Sequence, residues 1–403
     1  MVSIRRVPGI AAAALLAAAM GPAAAQELPP QLGSYMPLYP GLYFTGGYVH
    51  DGGDSSYDQQ GKKQPTATPQ TPGGSTRLGN DSLLAQFTWH FPLFEAYQLP
   101  FVSSRTWLAR ATLRYSRTGT SGGLADYIAS DAGQEQDLQD NSSGIGDVSL
   151  EYGTFLYGSA DWRTSSSHPL AILALLGVDL PFGTYNHNAP NNPGSNTFAL
   201  QGKLGLHWQP WSGGFVETGI GYRHYQIDEQ PEFGQLAPRV QGPELRWDAS
   251  LTQRVWHSLY LGGFYTQRRG SSDQYQNPQF APNAPPPPPG SDDFPTPGTY
   301  RDGGTGLSTV AGALHYFITQ RWLASLDYAV PIAGRSGQFT LPFTRSTPAN
   351  CVPGALTCSE AADGAVLVDG MGPARSFASD VVTLSIRYNF GQGDAFSCAN
   401  CKQ

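Results

Sequence analysis

Four cysteines are the residues in this sequence best suited to redox or metal chemistry. Cys398 and Cys401 form a C-x-x-C motif near the C-terminus, a spacing found in redox pairs and in halves of zinc sites. No second C-x-x-C motif and no neighbouring histidine completes a zinc site, and no histidine follows Cys401 as haem attachment requires. These two, together with Cys351 and Cys358, are therefore disulfide candidates, and we predict no metal site and no cofactor.

Serine and histidine offer a second kind of chemistry, nucleophilic hydrolysis. Ser82 and His90 share one face of a predicted strand, but eight residues of strand separate them by about 26 Å, too far for proton transfer. His207 and His315 lie at inward positions of predicted strands, and neither is placed beside a serine nucleophile elbow. We therefore expect no enzyme activity and no catalytic residue.

Charged side chains are few, at 14% of the chain, and they gather on one face of several predicted strands. Opposed arginines and carboxylates inside a pore can set a transverse field that selects solutes by charge. An equally weighted interpretation is that these charges neutralise one another in a packed interior. The predicted lumen-lining residues are Arg110, Arg114, Glu151, Glu217, Arg223, Glu244, Arg246, Asp248, Arg254, Asp327 and Arg387.

Two aromatic residues, Tyr225 and Phe264, are candidates for an aromatic lining of the same lumen. Ordinary packing is the favoured explanation for both, because aromatic side chains usually pack.

All these side chains would be positioned by β-strands. Apolar and polar residues alternate with a period of two in many segments, and the segments are joined by connections that are long and short in turn. Long outer loops, short periplasmic turns and an even strand number are typical of an outer-membrane barrel, whereas a soluble sandwich has no reason to alternate in this way. The twelve predicted strands cover residues 39–50, 80–91, 105–117, 146–157, 169–181, 196–209, 214–228, 243–254, 257–269, 306–318, 321–331 and 379–390. Residues 338–344 and 365–369 leave open a further hairpin, and so a barrel of fourteen strands.

The N-terminus predicts export. Arg5 and Arg6 precede an apolar stretch, and Ala23 and Ala25 form an A-x-A cleavage site. Beyond it no apolar run approaches the roughly 20 residues of a transmembrane helix. The predicted organisation is a signal peptide over 1–25, an N-terminal periplasmic segment over 26–38, an all-β, antiparallel, up-and-down transmembrane barrel over 39–390, and a periplasmic tail with the C-x-x-C motif over 391–403.

The balance of charge limits the partners. A net charge of −7 argues against nucleic-acid binding, which needs a basic face. The partners expected of an exported barrel are small-molecule solutes, outer-membrane lipid and the barrel-assembly machinery during biogenesis. The strand closing on Tyr388-Asn389-Phe390 resembles the C-terminal recognition signal of outer-membrane proteins, although here a tail follows it.

Two motifs resemble a specific family. The segment Asn141-Ser-Ser-Gly-Ile-Gly-Asp-Val148 resembles the G-(I/L)-G-D motif of outer-membrane proteins assigned to the meta-pathway of phenol degradation. Asp179-Leu-Pro-Phe-Gly-Thr-Tyr185 followed by Gly194-Ser-Asn-Thr-Phe198 resembles that family's LPTGDY…LGSN hairpin, with Phe-Gly-Thr where Thr-Gly-Asp is usual. The resemblance implies a transporter-like barrel for aromatic or other hydrophobic small molecules, and it carries no catalytic residue.

The sequence therefore predicts a porin-like outer-membrane channel that passively admits small solutes, including aromatic or hydrophobic ones. One alternative is a structural or surface-interaction barrel with a closed lumen, whose Pro-rich loops are the working part. A second alternative is a redox or metal partner acting through the Cys398 and Cys401 tail.

Overall fold

Twelve antiparallel strands, each paired with the next along the chain, form a closed ring in the computed structural model. The ring closes because β1 pairs with β12 on one side and with β2 on the other. The strands are β1 Gly41–Tyr57, β2 Thr71–Pro92, β3 Thr106–Gly122, β4 Val148–Tyr157, β5 Leu170–Leu180, β6 Ala199–Trp211, β7 Gly214–Tyr225, β8 Glu244–Trp256, β9 Leu259–Gly270, β10 Thr305–Phe317, β11 Trp322–Arg335 and β12 Phe377–Asn389. The structure describes residues 32–36, 38, 40–57, 60–65, 67–68, 71–92, 106–122, 141–158, 169–186, 192–228, 239–272, 274–276, 299–301, 304–335, 339–342, 360–361, 365–368 and 377–390.

The predicted fold class is confirmed, and every barrel strand falls on a predicted one. The largest difference is at β2, which begins at Thr71 rather than at residue 80. Residues 76–79 continue the ladder with β3, and residues 78–79 continue the ladder with β1. The residues before them pair with the short strand Ala67–Thr68. Residues 71–79 carry few apolar side chains, so alternation could not reveal this extension.

The hairpin that the sequence left open exists, but it does not belong to the barrel. Phe339–Pro342 pairs with Ala365–Val368, and Glu360–Ala361 adds a third strand to this separate sheet. A second small sheet joins Ile227–Asp228, Arg239–Val240, Gln274–Gln276 and Thr299–Arg301 within the long connections. A segment before β4, Asn141–Ile145, pairs with β3. Within the described residues, the barrel therefore has twelve strands.

Burial is inverted relative to a water-soluble sheet. Leu204 and Leu251, on the outer face, are each 51% exposed, whereas Glu217 on the inner face is only 2% exposed. The same contrast holds strand after strand, because successive side chains of a strand point to opposite faces. Exposed leucines outside and buried charges inside are stable only if hydrocarbon surrounds the ring. Among the described residues, no helix has both the length and the apolar character to cross a membrane.

Aromatic side chains gather at the end of the barrel that carries the short turns. Trp211 and Trp256 border two of these turns, and both indoles are exposed. On neighbouring strands, the rings of Trp322 and Tyr388 lie 4.5 Å apart, and Tyr388 contacts Phe390 at 4.6 Å between ring centroids. Such rings favour the depth of the lipid headgroups, so this end of the barrel has the aromatic girdle of a membrane interface.

Candidate functional site

A short N-terminal segment lies inside the barrel. We call Leu32–Met36 the lumen plug. The backbone N–H groups of Gly33 and Tyr35 each donate to the carboxylate of Glu217 on β7, both at 3.1 Å. Arg387 on β12 donates to the carbonyl oxygen of Leu32 at 2.5 Å. The sequence placed residues 26–38 in the periplasm; the described part of that segment is instead bound to two walls of the lumen.

Tyr35 fits a prepared place on the inner wall. Gly205 of β6 and Gly219 of β7 are register partners, and a Cβ added at either would lie 2.2 Å from an atom of Tyr35. The Tyr35 hydroxyl donates to both carboxylate oxygens of Asp248 on β8, at 2.8 and 2.9 Å. Burial, reinforced by the Asp248 charge, raises the pKa of Tyr35 well above its ordinary value, so the hydroxyl keeps its proton. Gly205 and Gly219 thus leave room for the Tyr35 ring, and Asp248 accepts its hydroxyl hydrogen bond. We call these three residues the seat of Tyr35.

The plug also completes an apolar cluster. Tyr35 packs with side chains of three neighbouring strands, among them Leu108, Phe155 and Leu173, all of which are fully buried. The sequence did not predict this contact, because no pattern in residues 32–36 indicates which strands they contact. The only available signal was the pair of glycines at inward positions of adjacent strands.

A row of polar residues crosses the inner wall from β3 to β8. Arg110 donates to Glu151 at 2.8 Å, and Lys203 lies 3.6 Å from the other oxygen of the same carboxylate. Arg223 forms an ion pair with Asp179. Register pairing aligns the row across six strands, in the order Arg110, Glu151, Gly177, Gln201, Arg223 and Glu244. Cations and carboxylates therefore face one another within a single band of the lumen.

The structure places the predicted lumen residues on positions of inward parity. Arg114, Glu217, Glu244, Arg246, Asp248 and Asp327 are buried, and Arg254 is half-buried beside a short turn. Arg246 lies 3.9 Å from Asp248, and Arg387 holds the plug. Their role towards a solute stays a prediction.

The two aromatic candidates are both buried. The guanidinium of Arg223 lies 5.3 Å from the ring centroid of Tyr225, two residues along the same strand. Phe264 packs in an apolar cluster with Ala313 and Ala329. The four cysteines, and hence the two predicted disulfides, lie outside the described residues.

The two family-like motifs meet in space. Asp147, in the first motif, accepts hydrogen bonds from the backbone N–H of Gly183 at 3.2 Å and from the N–H and hydroxyl of Ser195 at 2.8 and 2.5 Å. Gly183 and Gly194 approach so closely that a Cβ on Gly183 would lie 2.6 Å from the Gly194 Cα. We call these three hydrogen bonds to Asp147, which hold the two motifs together, the clasp. We call the described residues 181–186 and 192–198 the folded loop.

The folded loop joins β5 to β6 at the end of the barrel opposite the short turns. The N–H of Gly146 donates to the carbonyl of Arg114 on the inner wall at 2.7 Å, and a Cβ at Gly146 would lie 3.1 Å from the Pro193 carbonyl oxygen. Asn192 is buried here and exchanges hydrogen bonds with the backbone of Asn186. The plug therefore lies inside the lumen, while the folded loop lies at the end of the barrel opposite the short turns.

A serine and a histidine do meet inside the barrel, at positions that the sequence did not pair. His315 Nδ1 and Ser325 Oγ lie 2.8 Å apart on register partners of β10 and β11. Within the described residues no carboxylate hydrogen-bonds to His315, so the third member of a catalytic triad is missing there. Ser82 bonds with Asn80 and Ser116 rather than with a histidine.

Metal chemistry gains no support from the described part of the chain. There, no group of three or more histidine, cysteine or acidic side chains is arranged to hold a metal ion.

A closed ring of strands with an apolar exterior, an interfacial aromatic girdle and a polar lumen defines an outer-membrane β-barrel. The family described as "Putative MetA-pathway of phenol degradation" matches residues 54–284, and the chain belongs to that family. No curated protein sequence matches the chain.

Several solved structures resemble this chain, and the first of them shares its fold. An outer membrane channel from Pseudomonas putida F1 superimposes with a TM-score of 0.58 at 14% identity, covering 90% of this chain and 100% of its own. The CymD monoaromatic hydrocarbon channel gives a TM-score of 0.34 at 9% identity, covering 88% of this chain and 89% of its own. Outer membrane phospholipase A from Escherichia coli gives 0.32 at 12% identity, covering 97% and 100%.

Proposed function

We propose that this protein is a passive outer-membrane channel for small solutes, with uncharged aromatic or hydrophobic molecules as its preferred class. The observation that carries the proposal is the closed barrel whose inner wall is polar while its outer wall is apolar. Such a wall encloses an aqueous path across a bilayer, and membership of a family named for phenol degradation supports aromatic solutes. Chemistry on the solute plays no part.

The lumen plug sets the resting state in this proposal. Its hydrogen bonds to Glu217, Asp248 and Arg387 hold it across the lumen. Each is a side-chain contact, so the plug can leave without breaking a strand ladder. Solute passage then requires the plug to shift, and the polar row from Arg110 to Glu244 screens the solutes that enter.

Reconstitution in planar bilayers and liposomes tests the proposal. The expected result is a small conductance that rises in the plug variant Tyr35→Ala, together with flux of phenol across liposome walls. Absence of conductance and of phenol flux in both the native protein and Tyr35→Ala would contradict it.

A closed surface-interaction barrel is the second candidate, because the plug occupies the lumen. Deleting residues 281–298, a Pro-rich stretch, separates the two. Lost adhesion with unchanged flux would favour the second candidate, whereas lost flux alone would favour the channel.

We also propose the features of biogenesis that the sequence predicts. These are cleavage of a signal peptide after residue 25, insertion by the barrel-assembly machinery, disulfides Cys351–Cys358 and Cys398–Cys401, and a C-terminal periplasmic tail. Replacing Cys398 and Cys401 by serine should leave conductance unchanged, since in this proposal the tail takes no part in transport. A changed conductance would instead support a redox or metal role.

A further inference from the structure

Two polar side chains without a hydrogen-bond partner in the described part of the chain lie next to each other on the inner wall. Asp327 of β11 and Thr383 of β12 are register partners, so their side chains point to the same face of adjacent strands. Asp327 is 2% exposed and Thr383 is 1% exposed. Among the described residues, nothing hydrogen-bonds to the Thr383 hydroxyl, and the Asp327 carboxyl group takes part in no hydrogen bond or ion pair.

Such a pair is uncommon inside a protein. Most buried polar groups are hydrogen-bonded, because leaving one without a partner costs free energy. By contrast, two other buried carboxylates of this lumen, Glu217 and Asp248, both bind the lumen plug. A buried carboxyl group within a membrane-spanning strand is a candidate binding group when no side chain neutralises it. Asp327 and Thr383 together offer one acceptor and one hydroxyl to a molecule in the lumen.

The wall beside this pair carries little side-chain bulk. Along the same register row, Asp327 is followed by Ala313 of β10 and then by Gly262 of β9. A Cβ added at Gly262 would lie 3.5 Å from the Cβ of Ala313, so the two positions adjoin on the inner face. One methyl group and one hydrogen atom therefore leave room over the strands for a small molecule next to the carboxyl group.

Aromatic rings border this low surface on both sides along β9. Phe264 and Tyr260 lie two residues to either side of Gly262, so all three positions face inward. Both rings are buried, and Phe264 packs against Ala313. Four residues of strand separate the two aromatic positions by about 13 Å. Since ring centroids in aromatic pairs lie about 4.5–7 Å apart, one further ring placed between them can contact both.

The polar pair and the two rings together match one class of solute. A hydroxyl group on an aromatic ring can donate to Asp327 and accept from the Thr383 hydroxyl at the same time. An aromatic hydrocarbon can do neither, and an aromatic ether has no hydrogen to donate. Each of these solutes would leave buried polar groups unpaired, which is how a site built for a hydroxyl rejects its analogues.

The subsite lies next to the lumen plug. Arg387, which holds the carbonyl oxygen of Leu32, is four residues from Thr383 on the same face of β12. It lies nearer the short turns, because β12 ends at that side of the barrel. A solute bound at Thr383 is therefore separated from the short-turn end of the lumen by the plug, and it is in position to pass when the plug shifts.

We propose that Asp327 and Thr383 form the polar end of a solute-binding subsite that selects small hydroxylated aromatic molecules such as phenol. The hydroxyl group bonds to both residues, and the ring lies over Gly262 and Ala313 between the two aromatic side chains of β9. The proposal deepens the proposed channel function and rests on it for transport, but binding can be measured on its own.

Equilibrium binding to the full-length protein in lipid nanodiscs tests the subsite. Three probes share a fluorinated ring: para-fluorophenol, para-fluoroanisole, in which a methyl group replaces the hydroxyl hydrogen, and fluorobenzene, which has no oxygen. Fluorine NMR measures their dissociation constants, with protein-free nanodiscs as the correction for partition into lipid. Para-fluorophenol should bind about tenfold more tightly than the other two probes, because only its hydroxyl can donate to the carboxyl group.

Matched variants assign this preference to the two residues. Thr383→Val keeps the shape of the side chain without its hydroxyl, and Asp327→Leu keeps the branched shape without either oxygen. Each should weaken para-fluorophenol binding by about threefold to tenfold and leave fluorobenzene binding unchanged. Thr154→Val is the control, since it removes a buried lumen hydroxyl that already donates to the carbonyl of Thr106. It should change the affinity for none of the three probes.

A second pair of variants tests where the ring lies. Ala313→Leu fills the low surface next to Asp327 and should weaken the binding of all three probes. Gly312→Leu places the same side chain one residue away on the outer face, where an added Cβ meets nothing within 4 Å, and should weaken none. Equal affinities in these two variants would show that the ring binds elsewhere.

Two further results would overturn the subsite: equal affinity of the three probes for the native protein, or unchanged para-fluorophenol affinity in either Thr383→Val or Asp327→Leu. Phenol flux is measured on the same proteins in liposomes. Flux without hydroxyl-selective binding removes the subsite and leaves the channel, whereas hydroxyl-selective binding without flux, also in Tyr35→Ala, removes the channel and leaves the subsite. Heat-modifiable migration in gels confirms that each variant is folded.

Discussion

Tyr35 donates its hydroxyl to Asp248 at 2.8 Å, although 213 residues separate the two along the chain. The bond ties the N-terminal segment to the middle of the barrel wall. It lies beside Gly219, the register partner of Asp248, which leaves room for the ring. A segment that precedes the first strand therefore occupies part of the lumen of this barrel.

Removing this bond should loosen the plug. A hydrogen bond to a charged partner contributes about 1.5–3 kcal/mol, so Tyr35→Phe should raise the open probability of single channels roughly tenfold or more. Planar-bilayer recordings measure it. Tyr225→Phe, which alters a lumen tyrosine away from the plug, serves as the control. An unchanged open probability in Tyr35→Phe would show that the plug does not limit conductance.

Adding a side chain at the glycines that make room for Tyr35 should also displace the plug. Gly205→Ala and Gly219→Ala each place a Cβ about where the Tyr35 ring lies, because an ideal Cβ there is 2.2 Å from ring or hydroxyl atoms. We expect the plug to be displaced while the barrel stays folded, and its release to appear as faster proteolysis near residue 35. Gly312→Ala is the matched control, since a Cβ there meets nothing within 4 Å. Equal proteolysis in all three variants would contradict the seat.

The shared carboxylate of Glu151 should set ion selectivity. It neutralises Arg110 at 2.8 Å and faces Lys203 at 3.6 Å, so Glu151→Gln leaves the row with excess positive charge. The reversal potential in a salt gradient should then shift towards anion selectivity, and Lys203→Gln should shift it the other way. Shifts of the same sign in both variants would show that this row does not face the conducting path.

The clasp should stabilise the folded loop. Asp147→Ala removes one acceptor of three hydrogen bonds and leaves the Gly183 and Ser195 donors unpaired. At about 1–3 kcal/mol for each such donor, the unfolding temperature should fall by several degrees. Ser195→Ala, which removes only the hydroxyl bond, should have a smaller effect. Thermal unfolding followed by circular dichroism measures both, and an Asp147→Ala value equal to that of the native protein would rule out the clasp.

The sequence by itself determined the barrel. Period-two alternation is a local consequence of the pleat, so Leu245 and Trp247 point outward opposite Glu244 and Arg246 whatever the rest of the chain does. Alternating loop lengths likewise follow from chain order; they predicted twelve strands but left a barrel of fourteen open, and the structure has twelve among the described residues. The clasp motifs were visible too, although their contact was not.

Only the tertiary structure decided which residues occupy the lumen and where the strand ladders end. Which residues Tyr35 meets depends on the tertiary fold, because the sheet sets β6, β7 and β8 beside a segment remote in sequence. The meeting of His315 with Ser325 depends on register across a turn. The end of the ladder between β11 and β12 also depends on register, since Val330–Arg335 pairs with β10 and Phe377–Asp380 pairs with β1. Alternation specifies the face of a side chain, but partners, register and ladder ends are properties of the closed ring, and no local pattern encodes them.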